Sequence, residues 1–80
     1  TENGAAYADK VEASGEVHDP KRLQYIQEHL KQVALCIADG VKVEGYFVWS
    51  FMDNLEWRLG FSQRFGVVHV DFSTQKRTIK

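Results

Sequence analysis

The sequence has few of the features that stabilise or anchor a very small protein. It contains one cysteine, Cys36, so no disulfide can form within its 80 residues and no zinc site built on several cysteines is possible. A chain of this length buries only about 60 to 65% of its unfolded surface, so its stability is marginal without such help. A lone thiol suits a reducing compartment, and we therefore expect a cytoplasmic location.

The chain also lacks a strong excess of charge and a long apolar run. Ten basic and eleven acidic side chains give a net charge of -1, and no basic cluster predicts a nucleic-acid partner. No apolar stretch approaches the roughly 20 residues that cross a bilayer, and there is neither an initiator methionine nor a signal-like start. We therefore expect neither nucleic acid nor membrane as a partner.

One amphipathic helix is predicted in the first half of the chain. Asp19 is a favourable N-cap, Pro20 suits the first helical position, and Gly40 is typical of the residue that ends a helix. Over about nineteen residues an apolar stripe has helical spacing, namely Leu23, Ile26, Leu30, Val33 and Ile37. Cys36 neighbours this stripe and is expected to be a packed thiol. Residues 5–18 are polar and aperiodic, which predicts a long loop.

The second half predicts a buried strand, an irregular segment and a hairpin. Residues 43–51, VEGYFVWSF, are β-branched and aromatic, which is typical of a strand covered on both faces. Strands on either side of residues 73–75 are expected to form the hairpin. With a strand stub at the start, the order is strand, loop, helix, strand, as in a right-handed βαβ unit. The stripe can cover one face of the buried strand, but nothing here covers the other. We therefore predict an α/β fold in which residues 1–80 are part of one larger (β/α)8 barrel domain.

Carboxylates and aromatic rings are concentrated where such a barrel carries its active site. Catalytic groups of these barrels lie at the C-terminal ends of strands and in the loops that follow. Glu2 with Asn3, and the run from Trp49 to Trp57 that contains Glu56, occupy such positions. Rings can stack on the apolar face of a sugar, and glycoside hydrolysis uses two carboxyl groups. From the residues alone, a sugar site and ordinary solvated acids beside core tryptophans both remain open.

Five motifs in order resemble the C-terminal part of family 1 glycoside hydrolases, the β-glucosidase family. They are TENG at the start, HDPKR at the helix start, GYFVWSFMDNLEW, RFGVVHVDF and TQKRT, and together they cover essentially the whole chain. The resemblance implies a (β/α)8 TIM barrel. In that barrel the chain would run from the end of strand 7 through helix 7 and strand 8 into the hairpin before helix 8.

The resemblance also implies a role for each site residue. Glu2 matches the catalytic nucleophile, an ionised carboxylate held about 5 to 5.5 Å from an acid/base partner. Asn3 and Gly4 match the positioning turn after it. The residues implied to contact the sugar are Trp49 under the ring, Glu56 at the 4- and 6-hydroxyls, Trp57 at the 3-hydroxyl and Phe65 near the 6-hydroxymethyl group. The peptide bond after Trp49 is often cis in this family.

The implied function is a retaining β-glycosidase that hydrolyses terminal, unphosphorylated β-D-glucosyl residues. Its substrates would be β-glucosides or short β-linked oligosaccharides, as in carbohydrate metabolism and cellulose degradation. The family's acid/base belongs to a separate strand-4 motif that this sequence does not contain. The chain alone is therefore expected to be inactive and to need the remainder of the barrel as its partner.

Three alternatives to this function remain. One is a sugar-binding relative without turnover, and another is an inactive structural fragment. The third is the 6-phospho-β-glycosidase branch, which resembles a pattern of serine at position 56, lysine at 63 and tyrosine at 65. This chain has Glu56, Gln63 and Phe65 instead, and a carboxylate at position 56 would repel a phosphate.

The remaining polar residues are expected to be structural, and no metal or organic cofactor is expected. The histidines, His18, His29 and His69, lack the spacing of metal ligands. Asp53 and Asn54 could contact a ligand, but a role in fixing the turn in which they lie is favoured.

Overall fold

The computed structural model describes all 80 residues of the chain, which form one helix and four short strands. The elements in order are β1 at Glu2–Asn3, α1 at Pro20–Ala38, β2 at Phe47–Val48, β3 at Val68–Val70 and β4 at Arg77–Ile79. β1 and β2 pair in parallel, and β3 and β4 form an antiparallel hairpin in which Val68 faces Ile79. The predicted strand, helix and strand order and the predicted hairpin are therefore confirmed.

Helix α1 has the bounds that its sequence predicts. Asp19 is the N-cap and Pro20 the first helical residue, but the Asp19 carboxylate makes no capping bond and contacts Arg22 instead. At the other end Gly40 has a φ of 88°, a left-handed backbone conformation that glycine adopts readily because it has no Cβ. The N–H groups of Gly40 and of Val41 donate to carbonyls of the last helical turn, at 3.0 and 2.9 Å. These two bonds form a Schellman motif, which ends the helix.

The apolar stripe of α1 does not cover β2 within this chain. Leu23, Leu30 and Ile37 are 58%, 44% and 54% exposed. Cys36 is exposed as well, so the prediction of a packed thiol is wrong for this chain. The physical reason is that a sheet of two short strands offers too little apolar surface for a helix of five turns to bury its stripe.

The buried strand predicted over residues 43–51 is also wrong in its extent, because only Phe47–Val48 is extended and paired. A strand requires a partner along its length, and β1 offers two residues on one edge only. The backbone after β2 bonds instead to the segment before β3. The Ser50 N–H donates to the Phe65 carbonyl at 3.0 Å, and the Val67 N–H donates to the Ser50 carbonyl at 2.9 Å.

The interior of the chain is mainly ionic rather than apolar. Only 7 of the 80 residues are buried, and Val17 and Val70 are the apolar side chains among them. Salt bridges join a group that we call the ionic network, consisting of Asp9, Asp19, Arg22, Asp53, Arg64 and Lys80. This network ties the loop of residues 5–18 to the helix start, to the turn after β2 and to the end of β4. Helix α1 is not both long enough and apolar enough to span a membrane.

Candidate active site

One concavity of about 430 Å³ brings together most of the residues that the sequence singles out. Its lining consists of Glu2, Gly4, Trp49, Leu55, Glu56, Trp57 and Phe65. Both carboxylates and all three aromatic residues named in the sequence analysis are therefore neighbours in space. We call this concavity the sugar concavity, because the sequence analysis predicts a sugar as its ligand. Of the predicted site residues, only Asn3 lies outside its lining.

Glu2 stands at the rim of the sugar concavity, and its carboxylate is 54% exposed. The Thr1 hydroxyl donates a hydrogen bond to Glu2 Oε2 at 2.8 Å. This bond lowers the pKa of Glu2 below its ordinary value. Glu2 is therefore ionised at neutral pH, which is the state that a nucleophilic carboxylate requires.

A close backbone approach places Glu2 beside Trp49. The Trp49 N–H donates to the Asn3 carbonyl at 2.8 Å and extends the pairing of β1 with β2. A Cβ on Gly4 would lie 1.8 Å from the carbonyl oxygen of Trp49, so no larger residue fits there without moving one of the two strands. The two strand ends that carry the site can be this close only because residue 4 is glycine.

Asn3 connects β1 to neighbouring segments through its side chain. The Tyr46 hydroxyl donates to Asn3 Oδ1 at 2.6 Å, and Asn3 Nδ2 donates to the Tyr25 hydroxyl at 3.1 Å. Burial, followed by the proximity of Tyr25, raises the pKa of Tyr46, so this phenol keeps its proton. Asn3 thus links β1 to α1 and to the segment before β2.

Trp49 and Glu56 contact each other across the sugar concavity. Trp49 Nε1 donates to Glu56 Oε1 at 3.2 Å, and Glu56 Oε2 has no protein partner. Backbone bonds of 2.8 Å in both directions join Glu56 to Gly60 and close a tight loop, with Trp57 99% exposed on it. The Trp49–Ser50 peptide bond is cis, as the resemblance implies. The free carboxylate oxygen and the exposed rings leave this wall open to a polar, ring-shaped ligand.

Asp53, behind the sugar concavity, is the residue whose importance the sequence reasoning understated. Its carboxylate accepts bonds from Arg64 at 2.6 Å, Lys80 at 2.9 Å, the Gly66 N–H at 3.0 Å and the Val70 N–H at 3.2 Å. Burial alone would raise the pKa of Asp53, but the bonds from Lys80 and Arg64 outweigh it, and the pKa lies below its ordinary value. The expected role in fixing the turn is confirmed. Its partners are too distant in sequence for any local spacing to signal them.

The histidines are dispersed over the chain. His18 lies near Glu12 and Glu16 on the surface, and His29 Nδ1 is 2.8 Å from the Tyr25 carbonyl oxygen. His69 is buried in the hairpin, where burial, and then the charge of Arg64, lower its pKa. No group of three or more metal-ligating side chains lies together.

Comparison with known proteins gives consistent results. The family model described as glycosyl hydrolase family 1 matches residues 1–80. The chain is 56% identical to the 1,4-beta-D-glucan glucohydrolase of Thermotoga neapolitana and 54% identical to beta-glucosidase A of Thermotoga maritima, in each case over all of this chain and 18% of the relative. It is 46% identical to a 6-phospho-beta-galactosidase of Staphylococcus aureus, over 96% of this chain and 17% of that protein.

The solved structures give the same picture. The family 1 beta-glucosidase of Thermotoga maritima superposes with a TM-score of 0.97 over all of this chain and 18% of that chain. The same enzyme in complex with isofagomine lactam gives a TM-score of 0.98. The chain thus spans less than a fifth of the length of these relatives, and over that span the backbone agrees closely.

Proposed function

Because the chain belongs to glycosyl hydrolase family 1, we propose that it provides the nucleophile and part of the sugar-binding wall of a retaining β-glucosidase. The observation that carries the proposal is that Glu2, Glu56 and the rings of Trp49, Trp57 and Phe65 line one concavity. The family fold is a TIM barrel. We place this chain in it as the end of strand 7, helix 7, strand 8 and the hairpin before helix 8.

The proposed reaction has two displacement steps at the anomeric carbon of the sugar. The Glu2 carboxylate attacks this carbon, the bond to the leaving-group oxygen breaks, and an acid/base carboxyl outside this chain protonates that oxygen. A water molecule then attacks the same carbon and gives its proton to the acid/base. The bond to Glu2 breaks, and Glu2 is restored as a carboxylate. Of the two catalytic carboxyl groups the chain supplies only the nucleophile, so we expect it to be inactive alone.

The sugar-binding roles follow from the chemistry of the wall. The ring of Trp49 offers an apolar face on which a pyranose can stack, and Phe65 provides a second apolar surface. Glu56 Oε2 is free to accept hydrogen bonds from sugar hydroxyls, and the exposed Trp57 indole N–H can donate one. The substrates proposed are β-glucosides and short β-linked oligosaccharides. For the protein as a whole we propose a cytoplasmic location, because a lone thiol suits a reducing compartment.

A 6-phospho-β-glycosidase is the second candidate, since one relative of 46% identity carries such a name. The chain argues against this candidate through Glu56, because a carboxylate in the sugar concavity repels a phosphate that would approach the same hydroxyls. A sugar-binding protein without turnover is disfavoured by Glu2, because the chain carries the carboxylate that the proposed reaction needs. Assays with glucosides and with 6-phosphoglucosides distinguish these candidates directly.

The test uses a protein that we call the hybrid barrel, in which this chain replaces the matching segment of the Thermotoga maritima enzyme. The hybrid is treated with a 2-fluoro-β-glucoside, whose fluorine slows breakdown of the covalent intermediate, and its intact mass is measured. We expect the mass of one fluorosugar to be added and peptide mapping to place it on Glu2.

Two carboxylate variants of the hybrid barrel act as matched controls. Glu2→Gln should form no adduct, whereas Glu56→Gln should still form the adduct on Glu2, only more slowly, because it loses binding contacts rather than the nucleophile. The proposal fails if a folded hybrid carries no adduct, or if the adduct maps to a residue other than Glu2.

A further inference from the structure

We propose that Asp53 is a positioning residue for the sugar concavity, acting through the segments that carry Trp49 and Phe65. Asp53 does not line the concavity itself. Its carboxylate is fully buried, and it lies in the turn directly after the segment that carries Trp49. The inference rests on the proposed function, because it assigns to Asp53 the task of holding the wall against which the sugar binds.

The hydrogen bonds of Asp53 fix the segment on which Phe65 lies. Asp53 Oδ1 accepts from the Gly66 N–H at 3.0 Å, and Oδ2 accepts from Arg64 Nη1 at 2.6 Å. Phe65 is the residue between these two partners, so both of its neighbours in the chain are held by one carboxylate. The side chain of Phe65 is thereby aimed into the sugar concavity.

Backbone bonds carry the same constraint to Trp49. The Ser50 N–H donates to the Phe65 carbonyl at 3.0 Å, and the Val67 N–H donates to the Ser50 carbonyl at 2.9 Å. Ser50 follows Trp49 directly, so a displacement of residues 64–66 would be passed to the peptide that carries the Trp49 ring. The Asp53 carboxylate therefore determines the spacing of the two aromatic surfaces.

The Asp53 carboxylate is held firmly in place because it is buried and its charge is paired. Asp53 has two cationic partners, Arg64 and Lys80, and the Lys80 side chain is 1% exposed. Arg64 also donates to the Val70 carbonyl at 2.8 Å and lies over the Phe72 ring at 4.7 Å. Breaking such a pair leaves an uncompensated buried charge, which forces the surrounding backbone to rearrange.

The test compares two buried carboxylates of the ionic network in the hybrid barrel. Asp53→Asn removes the charge that anchors the wall. Asp9→Asn is the matched control, since Asp9 is 4% exposed and reaches residues 49–54 and 64–66 only indirectly, through Lys80 to Asp53 and through Arg22 to the Arg64 carbonyl. The readouts are the dissociation constant of isofagomine lactam, followed by tryptophan fluorescence, and KM and kcat for a β-glucoside, all well below the unfolding temperature of each variant.

We expect Asp53→Asn to weaken binding of the lactam by about tenfold or more and Asp9→Asn by less than about twofold, because displacement of a positioning group by about 1 Å has large effects on a site. Equal effects of both variants would overturn the inference and leave Asp53 with a purely structural role. Arg64→Lys provides a second route, because it keeps the charge but loses the guanidinium, whose Nη1 donates to both the Asp53 carboxylate and the Val70 carbonyl. If Asp53→Asn and Arg64→Lys both fail to fold while Asp9→Asn folds, the inference is also wrong.

The result is separable from that for the proposed function. A hybrid barrel that binds the lactam but forms no adduct on Glu2 defeats the proposed function and leaves the positioning role of Asp53 to be decided by binding alone. A hybrid that forms the adduct and binds the lactam equally well with and without the Asp53 carboxylate supports the function and defeats the positioning role.

Discussion

At the scale of single residues, the position of Glu2 depends on a contact that involves no side chain. Gly4 meets the Trp49 carbonyl so closely that a Cβ would lie 1.8 Å from its oxygen. We predict that Gly4→Ala forces β1 and β2 apart, lowers the unfolding free energy of the hybrid barrel by about 1 to 3 kcal/mol, and slows adduct formation on Glu2. Urea denaturation and the rate of adduct formation measure the two effects.

The matched control for Gly4 is Gly45→Ala. A Cβ at position 45 would meet only side-chain carbons of Phe47, the nearest at 3.3 Å, and a ring can move where a backbone carbonyl cannot. Gly45→Ala should therefore leave stability and adduct formation nearly unchanged. If both variants behave alike, the close approach at Gly4 does not hold the site.

A second prediction at this scale concerns the titration of Asp71 in the hairpin turn. Its carboxylate accepts bonds from the Ser73 hydroxyl at 2.6 Å, the Ser73 N–H at 2.9 Å and the Thr74 N–H at 3.2 Å. These bonds lower the pKa of Asp71 from 3.8 to about 2. Because the folded pKa is depressed, the contribution of Asp71 to stability is complete above about pH 4 and is lost as the pH falls through 2.

The check is a titration of ¹³C-labelled aspartate in the hybrid barrel, with a midpoint expected near pH 2 for Asp71. Ser73→Ala, which removes the strongest donor, should shift the midpoint upward toward the ordinary value. A midpoint near 3.8 in the unsubstituted protein would show that the turn does not hold this carboxylate.

The residues of the candidate site could be predicted from the sequence, whereas those of the ionic network could not. Glu2, Trp49, Glu56, Trp57 and Phe65 were predicted because they stand in motifs, and the structure gathers them in one concavity. The ionic network was not predicted, because its partners are far apart in the chain and come together only when the fold forms. Charged residues scattered along a sequence look like solvated surface until their geometry is known.

At the scale of elements, the helix illustrates what local sequence can determine. Pro20 is the first residue of α1, and Gly40 lies just beyond its last residue. Both residues set the ends of the helix through backbone conformation rather than through packing. We predict that Gly40→Ala destabilises the hybrid barrel by about 1 kcal/mol, since a Cβ is disfavoured at a positive φ. The loss comes from the dihedral alone, because a Cβ at Gly40 would meet nothing within 4 Å.

Gly40→Asn provides the comparison for this prediction. Asparagine tolerates the left-handed conformation better than alanine, so its cost in unfolding free energy should be clearly smaller. Chemical denaturation of both variants measures the difference. Equal losses would mean that the end of α1 depends on something other than the φ of residue 40.

The strands show the limit of local sequence. Residues 43–51 have the composition of a buried strand, yet only Phe47–Val48 is paired, because a strand's extent is set by its partners and β1 supplies only two residues. In the same way, the stripe of α1 was predicted correctly as a pattern, but its burial depends on a sheet that this chain alone does not form. The local sequence therefore predicts whether a segment forms a helix or a strand. The length of a strand and the burial of a helix face depend on the other segments that pack against them.

At the scale of the whole molecule, the chain is flat and open. Its radius of gyration is 14.6 Å and its extents are 47 × 29 × 16 Å, whereas a compact domain of this length has a radius of gyration of about 12 Å. Large apolar side chains remain on its surface, among them Leu23 and Leu35 on α1 and Phe47 and Phe51 near β2. An exposed apolar area of this kind marks a surface that another part of a protein covers.

We therefore predict that the isolated 80-residue chain does not unfold cooperatively, because its apolar core is limited to Val17 and Val70 and its ionic network cannot replace one. Urea should give a gradual loss of helical signal without a sigmoidal transition, and backbone amides should exchange rapidly. In the hybrid barrel the same amides of α1 and β2 should be strongly protected, because the remaining strands and helices cover the stripe and pair the open edges. Mixing the chain with the Thermotoga maritima enzyme that lacks the matching segment extends the test. If the amides of α1 and β2 become protected from exchange in the mixture, the rest of the barrel is what covers these elements. A sharp unfolding transition of the chain by itself would contradict the prediction.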